Sequence, residues 1–199
     1  MTSKPYSIFC PSGKFSDTTL AHIEWIKQKH RDVNQRYGDD KSLPYEFHLQ
    51  SAAKNMQRFS YMVPPVLQTD MFLAAWGHDL IENADQTYNN VKKRLGETCA
   101  ELIYAVSNEK GKTRAERAND KYYEDMKKIE GAVLVKICDR IANVSYSKFF
   151  SLKTDSYLMY KKEQREFLKH LGFDTFKDHP YRLAFDELNV LFDDTRTAF

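Results

Sequence analysis

Cysteine, proline and glycine are all scarce, at three, six and seven residues in a chain of 199. The three cysteines, Cys10, Cys99 and Cys138, are odd in number, widely spaced and free of any Cys-x-x-Cys pair, which speaks against a disulfide framework and for reduced thiols. Cys138 sits in the apolar run Val133-Leu134-Val135-Lys136-Ile137-Cys138 and reads as a small buried side chain. With so few glycines and prolines to interrupt them, apolar residues recurring every three or four positions predict an all-α chain, and no convincing strand is found. No apolar run approaches the roughly 20 residues that span a bilayer, and Met1-Thr2-Ser3-Lys4-Pro5-Tyr6 lacks the apolar stretch of a signal peptide. A membrane partner is therefore not expected, and a cytoplasmic location is. A single-sign charge excess is also missing. The 30 basic and 28 acidic residues are intermixed and leave a net charge of +2, so no basic stripe exists to track nucleic acid.

What is present is a set of helices. The hydrophobic fraction of 42% suits one domain over 1–199 with a substantial core. Asp17-Thr18-Thr19 is expected to cap a first helix through Leu20, Ile23, Ile26 and Val33, which Tyr37-Gly38-Asp39-Asp40 breaks. His48 opens a second through Phe59, and Val63-Pro64-Pro65 stops it. A third, over about 67–77, delivers His78 and Asp79 at its carboxyl end. Thr87 caps a short helix holding Val91 and Leu95. Gly96 then turns the chain into a helix burying Cys99, Leu102, Ile103 and Val106. A charged helix over 114–128 precedes the apolar one that carries Asp139, and two more are expected over 156–171 and 181–194. Tyr122, Tyr123, Phe149, Phe150 and Tyr157 fall at helical spacings and read as core.

Chemistry is concentrated at four positions. His48 lies upstream of Ala74-Ala75-Trp76-Gly77-His78-Asp79-Leu80-Ile81-Glu82-Asn83, and Asp139 lies in Lys136-Ile137-Cys138-Asp139-Arg140-Ile141-Ala142-Asn143. Two imidazoles and two carboxylates from separate helices form a nitrogen and oxygen shell for one divalent cation, harder or borderline in character. Glu82, three residues after Asp79, comes round one turn to where a base that activates water belongs. Asn143, four residues after Asp139, shares its face and is either a substrate contact or a core amide.

The ordered pattern resembles the HD-domain metal-dependent phosphohydrolases, and within them the hydrolase domain of the RelA/SpoT family. Lys41-Ser42-Leu43-Pro44-Tyr45-Glu46-Phe47-His48 resembles the approach to that family's first metal histidine. His78-Asp79-Leu80-Ile81-Glu82-Asn83 resembles its His-Asp-x-x-Glu-Asp motif, and the segment around Asp139 its Lys-Leu-Ala-Asp run. The likeness covers about 20–150, with 151–199 as a helical extension. It implies an HD-type helical bundle with His48, His78, Asp79 and Asp139 as ligands of one divalent ion, Mn2+ first, and with Glu82 and Asn83 as catalytic residues. Asn83 stands where the family has an acid, so the base role falls on Glu82 alone. Leu49 replaces a proline, and Ser145 and Tyr146 replace basic and hydroxyl residues. Substrate contacts implied are Arg36, which would stack on a purine, Lys41, Ser42 and Lys110, the pair Arg114 and Arg117, and Asn143. A solvated charged face is the plainer account of Arg114 and Arg117, and an ordinary surface arginine that of Arg36.

The activity implied is removal of the 3′-pyrophosphate from guanosine tetra- or pentaphosphate, a nucleotide small molecule. Other HD chemistries use the same ligands: NADPH phosphatase, 5′-nucleotidase, deoxynucleotide triphosphohydrolase and cyclic-nucleotide phosphodiesterase. A regulatory nucleotide-binding module with weak turnover is the alternative outside catalysis. Self-association through the extension stays open.

Overall fold

Residues 15–108, 111–173 and 179–193 are described by a computed structural model. Cys10, Lys110 and position 194 of the last expected helix lie outside them. The first helix, α1 (Asp17–Asp32), starts one residue earlier than Asp17 as a cap would have it, because the Ser16 hydroxyl accepts the Thr19 N–H at 3.1 Å. Its inner face buries Ile23, Ile26 and His30.

The segment that follows corrects the expectation of no strand. Arg36–Tyr37 (β1) and Leu43–Pro44 (β2) pair antiparallel, Arg36 with Pro44 and Tyr37 with Leu43. Two residues per strand are too few to display alternation in a sequence. The tip is turned by Gly38 and Lys41, both at positive φ.

Helix α2 (Glu46–Arg58) runs into a short 3-10 turn at Ser60–Met62 before the two prolines. Helix α3 (Gln68–Gly77) is buried on every side from Met71 to Gly77 and is the central rod of the fold. Close packing fixes where it ends, since a Cβ on Gly77 would lie 2.8 Å from the Ile103 side chain and 3.0 Å from that of Leu80. A single turn, α4 (Leu80–Asn83), follows, and then α5 (Tyr88–Leu95), capped by Thr87 as expected. Gly96 links α5 to α6 (Glu97–Val106) at φ 95°.

The expected charged helix over 114–128 is two helices. Thr113 and Glu116 close a capping box on α7 (Arg114–Arg117), and Asn119 then accepts the Tyr122 N–H to start α8 (Asp120–Lys127). An Asn side chain that captures a backbone N–H favours a fresh start over continuation. Helix α9 (Ala132–Phe149) packs chiefly on α2, and α2 and α6 flank α3. Helices α10 (Asp155–His170) and α11 (Arg182–Val190) lie against α9.

One contiguous apolar cluster runs from Ile23 to Leu188 and takes in Leu49, Met56, Leu80, Ile103, Leu134, Ile137 and Phe185. Tyr122 and Tyr123 belong to it. Phe149 and Phe150 do not: both are exposed at the end of α9. Among the described residues no helix is long and apolar enough to cross a membrane.

Candidate metal centre and catalytic cavity

Three helix segments bring the centre together. His48, in the first turn of α2, is 2% exposed, and His78 directly follows α3. Their Nε2 atoms face each other at 3.0 Å. The Nδ1–H of His78 donates to the Ala75 carbonyl at 2.9 Å, because a carbonyl only accepts. That bond fixes the tautomer and leaves Nε2 with a lone pair directed at the centre. Asp139, midway along α9, puts Oδ1 at 3.3 Å from His48 Nε2 and 3.4 Å from His78 Nε2. Asp79, between α3 and α4, puts Oδ2 at 3.3 Å from His78 Nε2 and 3.8 Å from His48 Nε2. Donor atoms of His48, His78 and Asp139 all fall within 4.8 Å of one another.

Two buried imidazole nitrogens cannot face one another at that distance with both lone pairs exposed unless a positive charge lies between them. Burial lowers the pKa of His78, but the carboxylates of Asp79 and then Asp139 overcome it and raise it well above the ordinary 6.5. The acids respond in kind. Burial pushes both upward, and the neighbouring His78 carries Asp79 and Asp139 below the usual carboxylate range instead. A site that attracts a proton so strongly is built for a cation, and two imidazoles with two carboxylates suit a divalent metal. His48 Nδ1 is buried with no hydrogen-bond partner.

Around the ligands is a set of orienting contacts. The Tyr45 hydroxyl donates to Asp79 Oδ2, and Asn143 Nδ2 donates to Asp139 Oδ1 at 2.6 Å. The other end of the Asn143 amide accepts from the Tyr37 hydroxyl at 3.3 Å. Tyr37 also stacks on the His48 ring, with centroids 5.1 Å apart. Lys136, one turn before Asp139, has its ammonium 3.5 Å from Asp139 Oδ2.

These groups open onto a cavity of about 170 Å³ lined by Glu82, Asn108, Arg114, Arg117, Lys136, Arg140, Asn143 and Tyr160 together with Tyr45, His48, Asp79 and Asp139. The Glu82 carboxylate accepts the backbone N–H of Asn108 at 3.3 Å and its side-chain amide at 3.0 Å. Arg114 forks onto Glu163 of α10 at 2.7 and 3.2 Å. Arg140 reaches the same carboxylate at 3.1 Å and lies over the Tyr160 ring at 4.7 Å. Burial raises the pKa of Glu163, and the hydrogen bonds and charges of Arg114 and Arg140 together more than reverse this, keeping it an anion.

Glu82, Arg114, Arg117 and Asn143 thus line the cavity with His48, Asp79 and Asp139, while His78 lies behind them, outside the lining. Asn83 does not line it either: it is exposed and absent from the lining, since one residue beyond Glu82 turns about 100° around the helix. Arg36, Lys41 and Ser42 are also exposed and outside the lining. The Arg36 guanidinium folds back on its own hairpin and donates to the carbonyls of Lys41, at 3.1 Å, and Ser42. Tyr45, Lys136, Asn108, Arg140 and Tyr160 are cavity residues that the sequence did not single out. Tyr45 and Lys136 stand three residues before His48 and Asp139, a one-turn spacing that would have revealed them. Nothing local marks Tyr160.

No protein-family model matches the chain. Over 125 residues it is 26% identical to the guanosine-3′,5′-bis(diphosphate) 3′-pyrophosphohydrolase MESH1 of Danio rerio, an alignment covering 63% of this chain and 66% of that protein. The MESH1 of Drosophila melanogaster is 25% identical over 134 residues, 67% of this chain and 69% of its own length. The guanosine-3′,5′-bis(diphosphate) 3′-pyrophosphohydrolase of Aquifex aeolicus is 28% identical over 124 residues, which are 61% of this chain and 16% of that protein. The chain therefore spans about two thirds of the animal relatives and a small part of the bacterial one. In fold it is similar to a solved structure of a metazoan ortholog of SpoT that hydrolyzes ppGpp, with a TM-score of 0.71 at 19% identity, covering 92% of this chain and 97% of the other.

Proposed function

We propose that this chain is a metal-dependent phosphohydrolase that removes the 3′-pyrophosphate from guanosine-3′,5′-bis(diphosphate) or a closely related nucleotide. The observation that carries the reading is the convergence of His48, His78 and Asp139 on one point, with Glu82 on the wall of the same cavity. The names of the relatives supply the substrate. A divalent ion held by His48, His78, Asp79 and Asp139, Mn2+ first, would supply Lewis-acid polarisation of a phosphoryl oxygen and make water a better nucleophile. Glu82, oriented by two donors from Asn108, takes the proton as the water oxygen attacks the phosphorus bonded to the ribose 3′-oxygen. The bond from phosphorus to that oxygen breaks, a proton reaches the 3′-oxygen, and guanosine diphosphate and pyrophosphate leave. Arg114, held by Glu163, and Arg117 offer fixed positive charge to the phosphates. Asn143 has both ends of its amide engaged by Asp139 and Tyr37, which supports a role in orienting Asp139. The same reading places the enzyme in the cytoplasm, where the buried free thiols Cys99 and Cys138 stay reduced.

The test is a substrate panel with Mn2+-loaded protein, in which the bis(diphosphate) should yield pyrophosphate and guanosine diphosphate in equal amounts. Phosphate released from NADPH, or hydrolysis confined to 5′-triphosphates or cyclic nucleotides, would move the substrate assignment elsewhere.

A further inference from the structure

Lys136 is the least expected residue of α9. Its neighbours Val133, Leu134, Val135, Ile137 and Cys138 are buried and apolar, and its own side chain is 15% exposed. Burying an ammonium carries a desolvation penalty of several kcal/mol, so a helix that needed only packing here would hold leucine or methionine. Stabilising Asp139 is an incomplete explanation. The 3.5 Å separation from Asp139 Oδ2 lies beyond ordinary hydrogen-bond range, and the Oδ1 of that carboxylate is already served by Asn143 and faces the two imidazoles. The ammonium lies 5.9 Å from the centre of the Tyr122 ring, and the Tyr122 hydroxyl, which donates to the Val106 carbonyl at 2.7 Å, accepts one of its donors. An ammonium has three donors, and this one opens onto the cavity that Glu82 and Asp139 also line.

Charge leads to the same place. Asp79, Glu82 and Asp139 bring three negative charges to the cavity, and a divalent ion offsets two of them. Lys136 adds positive charge from the wall of the same cavity, whereas Arg140 and Arg114, also on that wall, are both tied to Glu163. We propose that Lys136 is a catalytic residue, whose ammonium contacts a non-bridging oxygen of the phosphoryl group under attack and offsets the charge that develops there. The inference rests on the phosphohydrolase reading, but a lysine that meets a phosphoryl oxygen also has to bind the product anion.

The full-length chain and its Lys136→Met variant, both loaded with Mn2+, are compared by metal content, turnover of guanosine bis(diphosphate) and calorimetric binding of inorganic pyrophosphate. The variant is expected to keep its Mn2+, because removing a nearby positive charge does not weaken a cation site. Its kcat should fall about 10²–10³-fold, and its pyrophosphate affinity about tenfold. Turnover within about threefold of wild type at full metal occupancy overturns the proposal, as does loss of activity only in proportion to lost Mn2+. Should Lys136→Met not fold, the 15Nζ resonance of Lys136 in the wild-type chain decides: it must shift when pyrophosphate is added, and an unmoved signal rejects the contact. A wild type that binds pyrophosphate without cleaving the nucleotide ends the substrate reading alone, and the pyrophosphate comparison still judges Lys136.

Discussion

At the scale of single residues, the ligands are distinguished by what holds them. The carboxylate of Asp79 is fixed by the Tyr45 hydroxyl, and that of Asp139 by Asn143 at 2.6 Å. Loss of such an outer contact weakens a metal site by about 10–100-fold. Tyr45→Phe, which removes one oxygen and keeps the ring, should lower Mn2+ affinity by that factor in a competitive chelator titration. An unchanged affinity would mean that Asp79 needs no orienting partner. Glu82 and Asn83 are adjacent in sequence, but only Glu82 lines the cavity. Glu82→Gln should therefore reduce pyrophosphate release by about 10²–10⁴-fold, while Asn83→Asp should stay within about threefold of wild type. An Asn83→Asp variant with strongly raised activity would put the second position back into the chemistry.

Elements matter here through their ends. Asp139 reaches the centre because α9 begins where it does, just after Gly131, whose φ of 90° is strained for any residue with a side chain. A Cβ there would lie 2.7 Å from Met71 Sδ of α3 and 2.8 Å from its Cε. His78 directly follows α3 and Asp139 lies on α9, so the glycine sets the register between two halves of the candidate metal centre. Gly131→Ala is expected to destabilise the fold by about 1–3 kcal/mol, visible as a lowered midpoint in thermal or urea unfolding. A midpoint equal to that of wild type would show that Met71 yields and that the turn tolerates a side chain. The contribution of α10 is of another kind: Glu163 ties Arg114 of α7 to Arg140 of α9, so a helix outside the recognisable motifs forms part of the cavity wall.

For the whole molecule, the centre couples stability to pH and metal. The raised pKa of His78 adds stability that is complete below the unfolded value of 6.5 and is lost as pH rises through the higher folded value. The lowered Asp79 and Asp139 add stability that is present above 3.8 and is lost as pH falls through their folded values. Metal-free protein should accordingly lose thermal stability as pH rises above about 6.5 toward the higher folded value of His78. Mn2+ needs deprotonated imidazoles, so it should raise the melting temperature more at the alkaline end. Calorimetry with and without Mn2+ checks both signs, and a metal-free melting temperature indifferent to pH would argue against the raised pKa of His78.

The helical class was legible in the sequence alone, and so were the four residues proposed as ligands, because few side chains bind a divalent cation and their relative positions are set by helical turns. The sequence also located Glu82, one turn from Asp79, and the Thr87 cap, since both depend on contacts within a few residues. The hairpin at Arg36–Pro44 was hidden by its length, and the break between α7 and α8 by the single asparagine that causes it. Which charged residues line the cavity is visible only once the helices are packed. The tertiary structure admitted Arg114 and Arg117 and turned Arg36 back onto its own hairpin. It left Lys41 and Ser42 exposed, and brought in Arg140 and Tyr160 by packing α10 on α9. Those choices depend on contacts between residues far apart in the chain, which no local pattern records.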